Sequence, residues 1–432
     1  MTENRRRFLE AAVAIGRRLC RDAIWHEGRC NWLGWGMELH GGQWISAYRA
    51  LGGQLYDGAA GICLFLASLA KLKGDPIVTA TALGAVAEAL KAAENLEKAG
   101  EYGFYSGLSG VGISGIAVGQ ALGREDIVKR GRETMRCCMK LAPRSERLDV
   151  INGSAGAIPA FLEAAERFGE EEFLGAAIRH GEHLLKTATQ SDKGWSWDTL
   201  GMENQPHLLG FAHGASGIAH ALALLAKATG RTAFLDAAQG GLRYERTHFR
   251  ETEGNWPDLR DFMQPKPTGE PTCMVAWCHG APGIGLARLA LHEILPNDIA
   301  ILNEARIATQ TTAATLGQVS PVTGNFSLCH GDGGNADFLI LAADTLTRPE
   351  LRQVAESAAD RALDRYEDSR APWPCGVPGA GETPNLFLGA AGIGYFLLRL
   401  HDSSQIPTVL LPSALIRRVG KSGGLGGFAE TQ

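Results

Sequence analysis

A short glycine motif recurs seven times along this chain of 432 residues, and it limits the folds that the chain can adopt. Each copy has the form Gly-x-x-Gly and leads into an apolar stretch with helical spacing. The first glycines of the seven copies are Gly58, Gly107, Gly153, Gly214, Gly280, Gly331 and Gly389. They follow one another at intervals of 46 to 66 residues. Such an interval holds two helices of about 10–14 residues with their connections, so the sequence predicts seven helical hairpins.

The two helices predicted in each hairpin differ in polarity. The stretch after each motif is nearly free of charges, which predicts inner helices buried on more than one side. The stretches between motifs are amphipathic and predict outer helices at 80–99, 124–141, 171–186, 232–244, 302–316 and 348–366. The first and seventh motifs are both complete, and neither resembles a polar cap. We therefore predict an all-α fold, a closed α/α toroid of seven inner and seven outer helices, with an open solenoid as the alternative.

The same pattern sets the expected domain organisation. We predict that residues 1–432 form a single toroid domain. Residues 1–54 would lead into it as a helix through about residue 25, followed by a Gly- and Trp-rich ordered loop region at 26–54. The two longest intervals contain insertions at 190–206 and 247–272, which we predict to be loops near the mouth of the site. Residues 413–432 end in a Gly-rich stretch and are predicted to be a flexible tail.

Composition narrows the expected partners and compartment. The formal net charge is −5, and no Lys/Arg-rich stripe follows Arg5-Arg6-Arg7, so nucleic acid is not expected as a partner. No run of about 18 apolar residues is present and the N-terminus does not resemble a signal peptide, so no membrane span is expected. Nine cysteines, an odd number in a long chain, indicate a reducing compartment, and we predict a cytoplasmic protein.

The repeats also place residues in register, because equivalent positions in a ring lie at equivalent depths. The residue before the first glycine is polar in six of the seven copies; the set is Asp57, Ser106, Asn152, His213, His279 and His330, with Leu388 in the seventh. One position earlier, two copies carry a cysteine, Cys278 and Cys329. We therefore predict that polar groups from several helix N-termini share a centre, where free N–H groups lower the pKa of a thiol.

Cys278, Cys329 and His330 are the strongest candidate metal ligands. Thiolate and imidazole are preferred ligands of zinc, and three protein ligands with one open position are typical of catalytic zinc. We predict that these residues hold one zinc ion, which activates a thiol. The two cysteines are 51 residues apart and form no compact Cys-x-x-Cys pair. The alternative that all three are hydrogen-bonded core groups therefore stays open.

The motifs together resemble a known family, the lanthionine synthetase C-like (LanC) cyclases. The resemblance rests on the seven Gly-x-x-Gly copies, on Trp277-Cys278-His279-Gly280 and on Cys329-His330-Gly331, and it covers about residues 31–412. Two further stretches, Leu55-Tyr56-Asp57-Gly58 and Thr383-Pro384-Asn385-Leu386-Phe387, most resemble the cyclase half of the bifunctional LanM synthetases. The resemblance implies a double α-barrel, a single zinc ion on Cys278, Cys329 and His330, and intramolecular Michael addition.

The resemblance also implies catalytic residues. The family's acid/base histidine, in the motif His-Gly-x-x-Gly, corresponds to His213, and its aspartate, in the motif Asp-x-x-x-Gly-x-x-Gly, corresponds to Asp149. Some LanC enzymes carry an arginine four residues before the first zinc cysteine and a tyrosine directly after it. Those positions are Met274 and His279 here, so their roles stay open.

The implied function is that of a zinc-dependent lanthipeptide cyclase. It would add cysteine thiols of a dehydrated precursor peptide to dehydroalanine or dehydrobutyrine, forming lanthionine or methyllanthionine rings. We expect a separate dehydratase, because these residues contain no counterpart of the LanM dehydratase half. Three alternatives stay open. A toroid-type glycoside hydrolase would use carboxylates such as Asp57, Asp149 and Asp332. A LanC-like protein would instead add glutathione to dehydrated residues, and a non-catalytic one would only bind peptides in a maturation complex.

Overall fold

Fourteen α-helices dominate the computed structural model, which describes residues 3–40, 43–202, 204–263, 269–318 and 324–415. They are α1 (Glu3–Asp22), α2 (Ala59–Lys73), α3 (Pro76–Lys98), α4 (Leu108–Ala121), α5 (Glu125–Cys138), α6 (Ser154–Phe168), α7 (Glu171–Thr187), α8 (Ala215–Thr229), α9 (Thr232–Arg246), α10 (Ala281–Ile294), α11 (Ile299–Gly317), α12 (Asp332–Thr345), α13 (Pro349–Ala362) and α14 (Ala390–Asp402). Each glycine motif lies at the N-terminus of an even-numbered helix, as the apolar stretches predicted.

Short antiparallel hairpins accompany the helices. In the described ranges, β1 (Ile24–His26) pairs with β2 (Arg29–Asn31), β3 (Leu33–His40) with β4 (Gln43–Ala50), and β5 (Thr189–Ser191) with β6 (Gly194–Ser196). The expected loop region at 26–54 is therefore wrong for most of its length, since it forms two hairpins. Its Gly- and Trp-rich composition concealed a stabilising cross-strand pair, Trp35 and Tyr48, whose ring centroids are 5.2 Å apart.

The seven even-numbered helices form a closed inner ring. Each one packs against the next, from α2 through α4, α6, α8, α10 and α12 to α14, and α14 packs against α2. The predicted closed toroid is therefore confirmed over the open solenoid. These helices are buried along most of their length; in α14, for example, every residue from Ala390 to Leu400 is buried.

The outer layer is completed by the first helix of the chain. Six outer helices, α3, α5, α7, α9, α11 and α13, pack against the inner helix that precedes each of them. The partner of α14 is α1, which is joined to the α13 end by ion pairs from Arg7 to Asp360 at 3.1 Å and from Arg18 to Glu367 at 2.8 Å. The predicted lead-in helix is thus the seventh outer helix, and the ring closes between the two ends of the chain.

The second glycine of each motif allows a close backbone approach. A Cβ atom at this position would overlap the carbonyl oxygen of the residue six positions earlier in every copy; the pairs are Gly61 with Leu55, Gly110 with Phe104, Gly156 with Val150, Gly217 with Phe211, Gly283 with Trp277, Gly334 with Leu328 and Gly392 with Leu386. The glycines are therefore needed for contact between the loop and the helix that follows it.

Backbone hydrogen bonds join the motif loops to one another. The residues two positions before the first glycines form what we call the loop belt: Tyr56, Tyr105, Ile151, Ala212, Cys278, Cys329 and Phe387. Within the belt, the N–H group of one residue donates to the carbonyl oxygen of another. These bonds run from Cys278 to Cys329 (3.3 Å), Cys329 to Phe387 (3.0 Å), Phe387 to Tyr56 (2.9 Å), Tyr56 to Tyr105 (2.8 Å) and Tyr105 to Ile151 (3.2 Å). Val150 continues the series by donating to Ala212 at 3.1 Å. The belt holds equivalent positions at one level of the ring.

The segment after α14 is hydrogen-bonded to aromatic side chains of the motif loops. The Tyr105 hydroxyl donates to the Val409 carbonyl at 2.9 Å, and the Trp277 indole donates to the Leu410 carbonyl at 3.1 Å. The Tyr105 and Trp277 rings also contact each other, with centroids 5.2 Å apart, so the segment is held against an aromatic cluster of the motif loops. Ala414 and Leu415 are also buried, so the predicted tail does not begin at residue 413. The rest of that prediction, 416–432, lies outside the described residues.

Among the residues that the structure describes, one helix, α3, is long and apolar enough to cross a membrane, by length and composition only. An 18-residue window of this 23-residue helix has a mean hydropathy of 1.2, and half of that window is buried inside the protein. Because α3 packs on α2 and α4, this apolar surface is used within the toroid.

The glycine contacts predict a stability difference between two Gly→Ala variants. Gly110→Ala should lower the free energy of unfolding by about 1–3 kcal/mol, because the added methyl overlaps the Phe104 carbonyl. Gly175→Ala in α7 is the matched control: the nearest atom to its added Cβ is Arg179 Nη1, at 3.8 Å. It should raise stability by up to about 1 kcal/mol through helix propensity. Urea unfolding measures both, and equal stabilities would contradict this account of the motif.

Candidate metal centre

The three predicted metal ligands lie together in the structure. The candidate ligand atoms of Cys278, Cys329 and His330 are within 4.8 Å of one another. The two cysteines are 9 % and 5 % exposed, so the cluster is almost closed to solvent. They are neighbours because the loop belt joins the fifth and sixth motif copies through the Cys278 N–H and the Cys329 carbonyl. A set of two thiols and one imidazole suits a thiophilic divalent ion.

A backbone carbonyl orients His330. The His330 Nε2 lies 2.9 Å from the Gly376 carbonyl oxygen. Because a carbonyl can only accept a hydrogen bond, Nε2 carries the hydrogen and Nδ1 keeps its lone pair for a metal. Gly376 also leaves room for the ring, since an added Cβ would lie 3.0 Å from His330 Cε1. Gly376 lies outside the repeat, and nothing in its local sequence identified it.

The two cysteine thiols lie close enough to shift each other's pKa. The proximity of Cys329 lowers the pKa of Cys278 well below its ordinary value, with His330 contributing in the same direction against the effect of burial. The proximity of Cys278 raises the pKa of Cys329 well above its ordinary value. A divalent cation would displace the thiol proton, because thiols bind metals as thiolates. Elsewhere, burial raises the pKa of Cys30 to about 12, as expected of a cysteine in apolar surroundings.

His213 and Asp149 form a pair beside this cluster. The His213 Nδ1 lies 2.6 Å from Asp149 Oδ2, and the other carboxylate oxygen accepts from the Asn152 N–H at 2.7 Å. Asp149 is 4 % exposed, whereas the His213 side chain is 28 % exposed. The His213 ring stacks on His279, the neighbour of Cys278, with centroids 5.9 Å apart. The imidazole is therefore held by a buried carboxylate and is accessible from outside.

The second insertion contributes side chains that the sequence did not identify. Asp258 Oδ1 lies 3.7 Å from His279 Nδ1, and Asp258 pairs with Arg260 at 2.6 Å. Burial alone would lower the pKa of Arg260, but Asp258 and the nearby Cys278 and Cys329 raise it. His279 is 2 % exposed, and its burial lowers its pKa to about 4, so the ring is neutral at neutral pH. The described part of this insertion thus forms a wall of the site; residues 264–268 of it lie outside the described ranges.

Other positions that register or the family resemblance singled out have partners of their own. Asp57 lies 3.5 Å from Arg49, and the Ser106 hydroxyl donates to the Ile151 carbonyl at 3.1 Å. The Met274 carbonyl accepts from the Asn255 amide at 2.9 Å. Two of the carboxylates that a glycoside hydrolase would use, Asp57 and Asp149, are therefore engaged by Arg49 and His213.

A family profile agrees with the motifs, and the structure of nisin cyclase agrees with the fold. The sequence profile of the lanthionine synthetase C-like protein family matches residues 49–411. Among solved structures, nisin cyclase is similar with a TM-score of 0.61 and 19 % identity, over 94 % of this chain and 96 % of that one. An unsaturated glucuronyl hydrolase from Bacillus sp. GL1 has a TM-score of 0.47 and 13 % identity, over 95 % of this chain and 98 % of that one. An inactive variant of an α-1,6-mannanase of Salegentibacter sp. HEL1_6 has a TM-score of 0.49 and 10 % identity, over 92 % of this chain and 99 % of that one.

The contact between Gly376 and His330 predicts an effect on metal affinity. Gly376→Ala should weaken binding of Co²⁺ or Zn²⁺ by about 10–100-fold, because the new methyl displaces the ring whose orientation the Gly376 carbonyl sets. Gly381→Ala is the control, since nothing lies within 4 Å of its added Cβ. Competition with a chelator measures both affinities. Unchanged binding in Gly376→Ala would show that His330 needs no such support.

Proposed function

Because the chain belongs to the lanthionine synthetase C-like family, we propose that it is a zinc-dependent lanthipeptide cyclase. The substrate would be a precursor peptide that carries cysteines together with dehydroalanine or dehydrobutyrine. The product would contain lanthionine or methyllanthionine rings. The single observation that supports this most is the cluster of Cys278, Cys329 and His330 beside an accessible imidazole.

The donor set suits zinc. Cys278, Cys329 and His330 would hold one zinc ion, whose chemistry is to keep a substrate thiol ionised near neutral pH. The cluster is nearly buried, so water would be largely excluded around the reacting atoms. Binding both ends of the future ring in one site would raise their effective concentration.

His213 would handle the proton. Its Nδ1–H donates to Asp149, which leaves Nε2 free to accept the proton of the substrate thiol. The sulfur adds to the β-carbon, the electron pair of the double bond moves toward the α-carbon and its carbonyl, and His213 returns the proton to the α-carbon. Asp149 would stabilise the imidazolium between these steps. One C–S and one C–H bond form and no group leaves, so the peptide mass does not change.

The cell context follows from the same chemistry. A separate dehydratase would supply the substrate, since dehydrated residues arise from Ser and Thr. All nine cysteines are free in the structure, which supports a reducing compartment, and we propose the cytoplasm. We further propose that the whole chain acts as one toroid domain.

The proposed function is tested by incubating the zinc-loaded protein with a dehydrated peptide. We expect loss of free thiol without a change of peptide mass, and about one zinc per chain. Cys278→Ala and Cys329→Ala should lose both properties, whereas Cys137→Ala, on the outer helix α5, should keep them. A mass gain that requires added glutathione would favour external thiol addition instead. Zinc binding without turnover would favour a non-catalytic peptide-binding protein.

The proton-transfer role has its own test. His213→Asn should lower kcat by about 100- to 10,000-fold while zinc content stays unchanged, because proton transfer is lost but no metal ligand is. Asp149→Asn should lower kcat less, since the imidazole remains but its positive form is less stabilised. His26→Gln, at an exposed histidine in β1, is the control. Cyclisation at the wild-type rate by His213→Asn would exclude this role.

A further inference from the structure

A buried carboxylate contacts the fourth motif loop on both sides of His213. Glu245, near the end of α9, is 0 % exposed, and its Oε1 accepts from the Gly210 N–H at 2.7 Å. Its Oε2 accepts from the hydroxyl of Ser216. Gly210 lies three residues before His213, and Ser216 lies three residues after it. One side chain therefore fixes the loop at two points that flank the histidine.

A buried arginine completes the cluster around Glu245. Arg288 in α10 is 0 % exposed and donates to Glu245 Oε2 at 2.8 Å and to the Ser216 hydroxyl at 3.0 Å. It also donates to Glu304 of α11 at 2.5 Å. The charge of Arg288 is therefore paired with two carboxylates, and the cluster connects the fourth motif loop to the inner helix of the fifth copy.

Gly210 brings this loop against the backbone of the candidate metal centre. Its φ is +93°, in the left-handed region that favours glycine. An added Cβ would lie 3.1 Å from the Cys278 carbonyl oxygen and 3.4 Å from His279 Cα. The hydrogen bond from Gly210 to Glu245 therefore also holds the loop of His213 beside the loop of Cys278.

The second motif copy shows that such a loop can be held without charges. Its Ser109 occupies the position equivalent to Ser216 and donates to the Tyr102 carbonyl at 2.8 Å. Replacing a buried ion pair by apolar side chains is often neutral or stabilising, because desolvation of the charges offsets their attraction. Stability alone therefore does not account for the pair of Glu245 and Arg288, which lies at the motif copy that carries the proposed proton-transfer residue.

We propose that Glu245 is a positioning residue that holds His213 at a fixed distance and orientation relative to Cys278. Proton transfer requires the imidazole to reach the substrate thiol and the α-carbon, and a misplacement of about 1 Å can lower a rate about 100-fold. Asp149 orients the ring through Nδ1, whereas Glu245 places the backbone from which the ring projects. This inference rests on the proposed function, which gives His213 its role.

Cyclisation kinetics of the zinc-loaded protein test this role. Glu245→Gln should lower kcat about 10- to 100-fold with KM and zinc content unchanged, because the loop is held less firmly while the metal ligands stay in place. The fold should survive, since Arg288 keeps Glu304 as an ionised partner. Asp337→Asn is the matched control, because Asp337 forms an equally buried pair with Arg399 between α12 and α14. It should leave kcat unchanged, and an equal loss in both variants overturns the proposal.

A spectroscopic measurement reports the position of His213 without any substrate. A short hydrogen bond to a carboxylate moves the imidazole N–H proton downfield in the NMR spectrum. In the wild type this signal reports the contact of His213 with Asp149, and its loss in His213→Asn assigns it. Glu245→Gln should move the signal upfield and speed its exchange with water, whereas Asp337→Asn should leave it in place. An unmoved signal in Glu245→Gln overturns the proposal.

A milder pair of variants keeps the proposal testable if Glu245→Gln does not fold. Ser216→Ala removes one of the two contacts between Glu245 and the loop and leaves the pair with Arg288 intact. It should lower kcat about twofold to tenfold and move the His213 signal upfield, whereas Ser109→Ala should do neither. No change in Ser216→Ala would contradict the proposal. A shifted signal in a protein that never cyclises peptides would count against the proposed function and not against the positioning of His213.

Discussion

The site depends on the backbone hydrogen bonds of the loop belt. Cys278 and Cys329 are 51 residues apart in the chain, and a helical hairpin separates them. They meet because the N–H of one donates to the carbonyl of the other, as happens between most neighbouring motif loops. Because main-chain groups form these hydrogen bonds, the side chains of the loop belt can vary. Two of them are cysteines, two are tyrosines and one is phenylalanine. The ring supplies the geometry, and the side chains supply the chemistry.

The toroid also explains why the site is polar in an apolar setting. Small residues at the motif allow the loops to approach the inner helices, and the segment around Val409 and Leu410 is hydrogen-bonded to Tyr105 and Trp277. What remains open is the level of the loops, where helix N-termini, the histidines and the Asp258–Arg260 pair gather. Buried charges there have partners, as in the contacts of Asp149 with His213 and of Asp258 with Arg260.

The repeat made much of this predictable from sequence. Register alone brought Cys278, Cys329 and His330 to one place, and the complete first and last copies indicated a closed ring, which the structure confirms. His213 and Asp149 came from family resemblance, and the structure places them in hydrogen-bond contact. Other features lie outside the repeated motif, so register could not predict them. Arg260 lies in an insertion and Gly376 outside the motif, while the pairing of α1 with α14 joins opposite ends of the chain, where no local pattern names the partner.

That last pairing has a consequence for how the protein is made. The Arg5 carbonyl in α1 contacts His401 in α14 at 2.9 Å, across 396 positions of sequence. During synthesis α1 therefore cannot pack on α14 until α14 has left the ribosome. Until then the incomplete ring exposes apolar surface at both of its ends, and exposed apolar surface of this kind promotes aggregation and chaperone binding. Completion of the ring therefore depends on contacts between residues far apart in sequence, which form slowly.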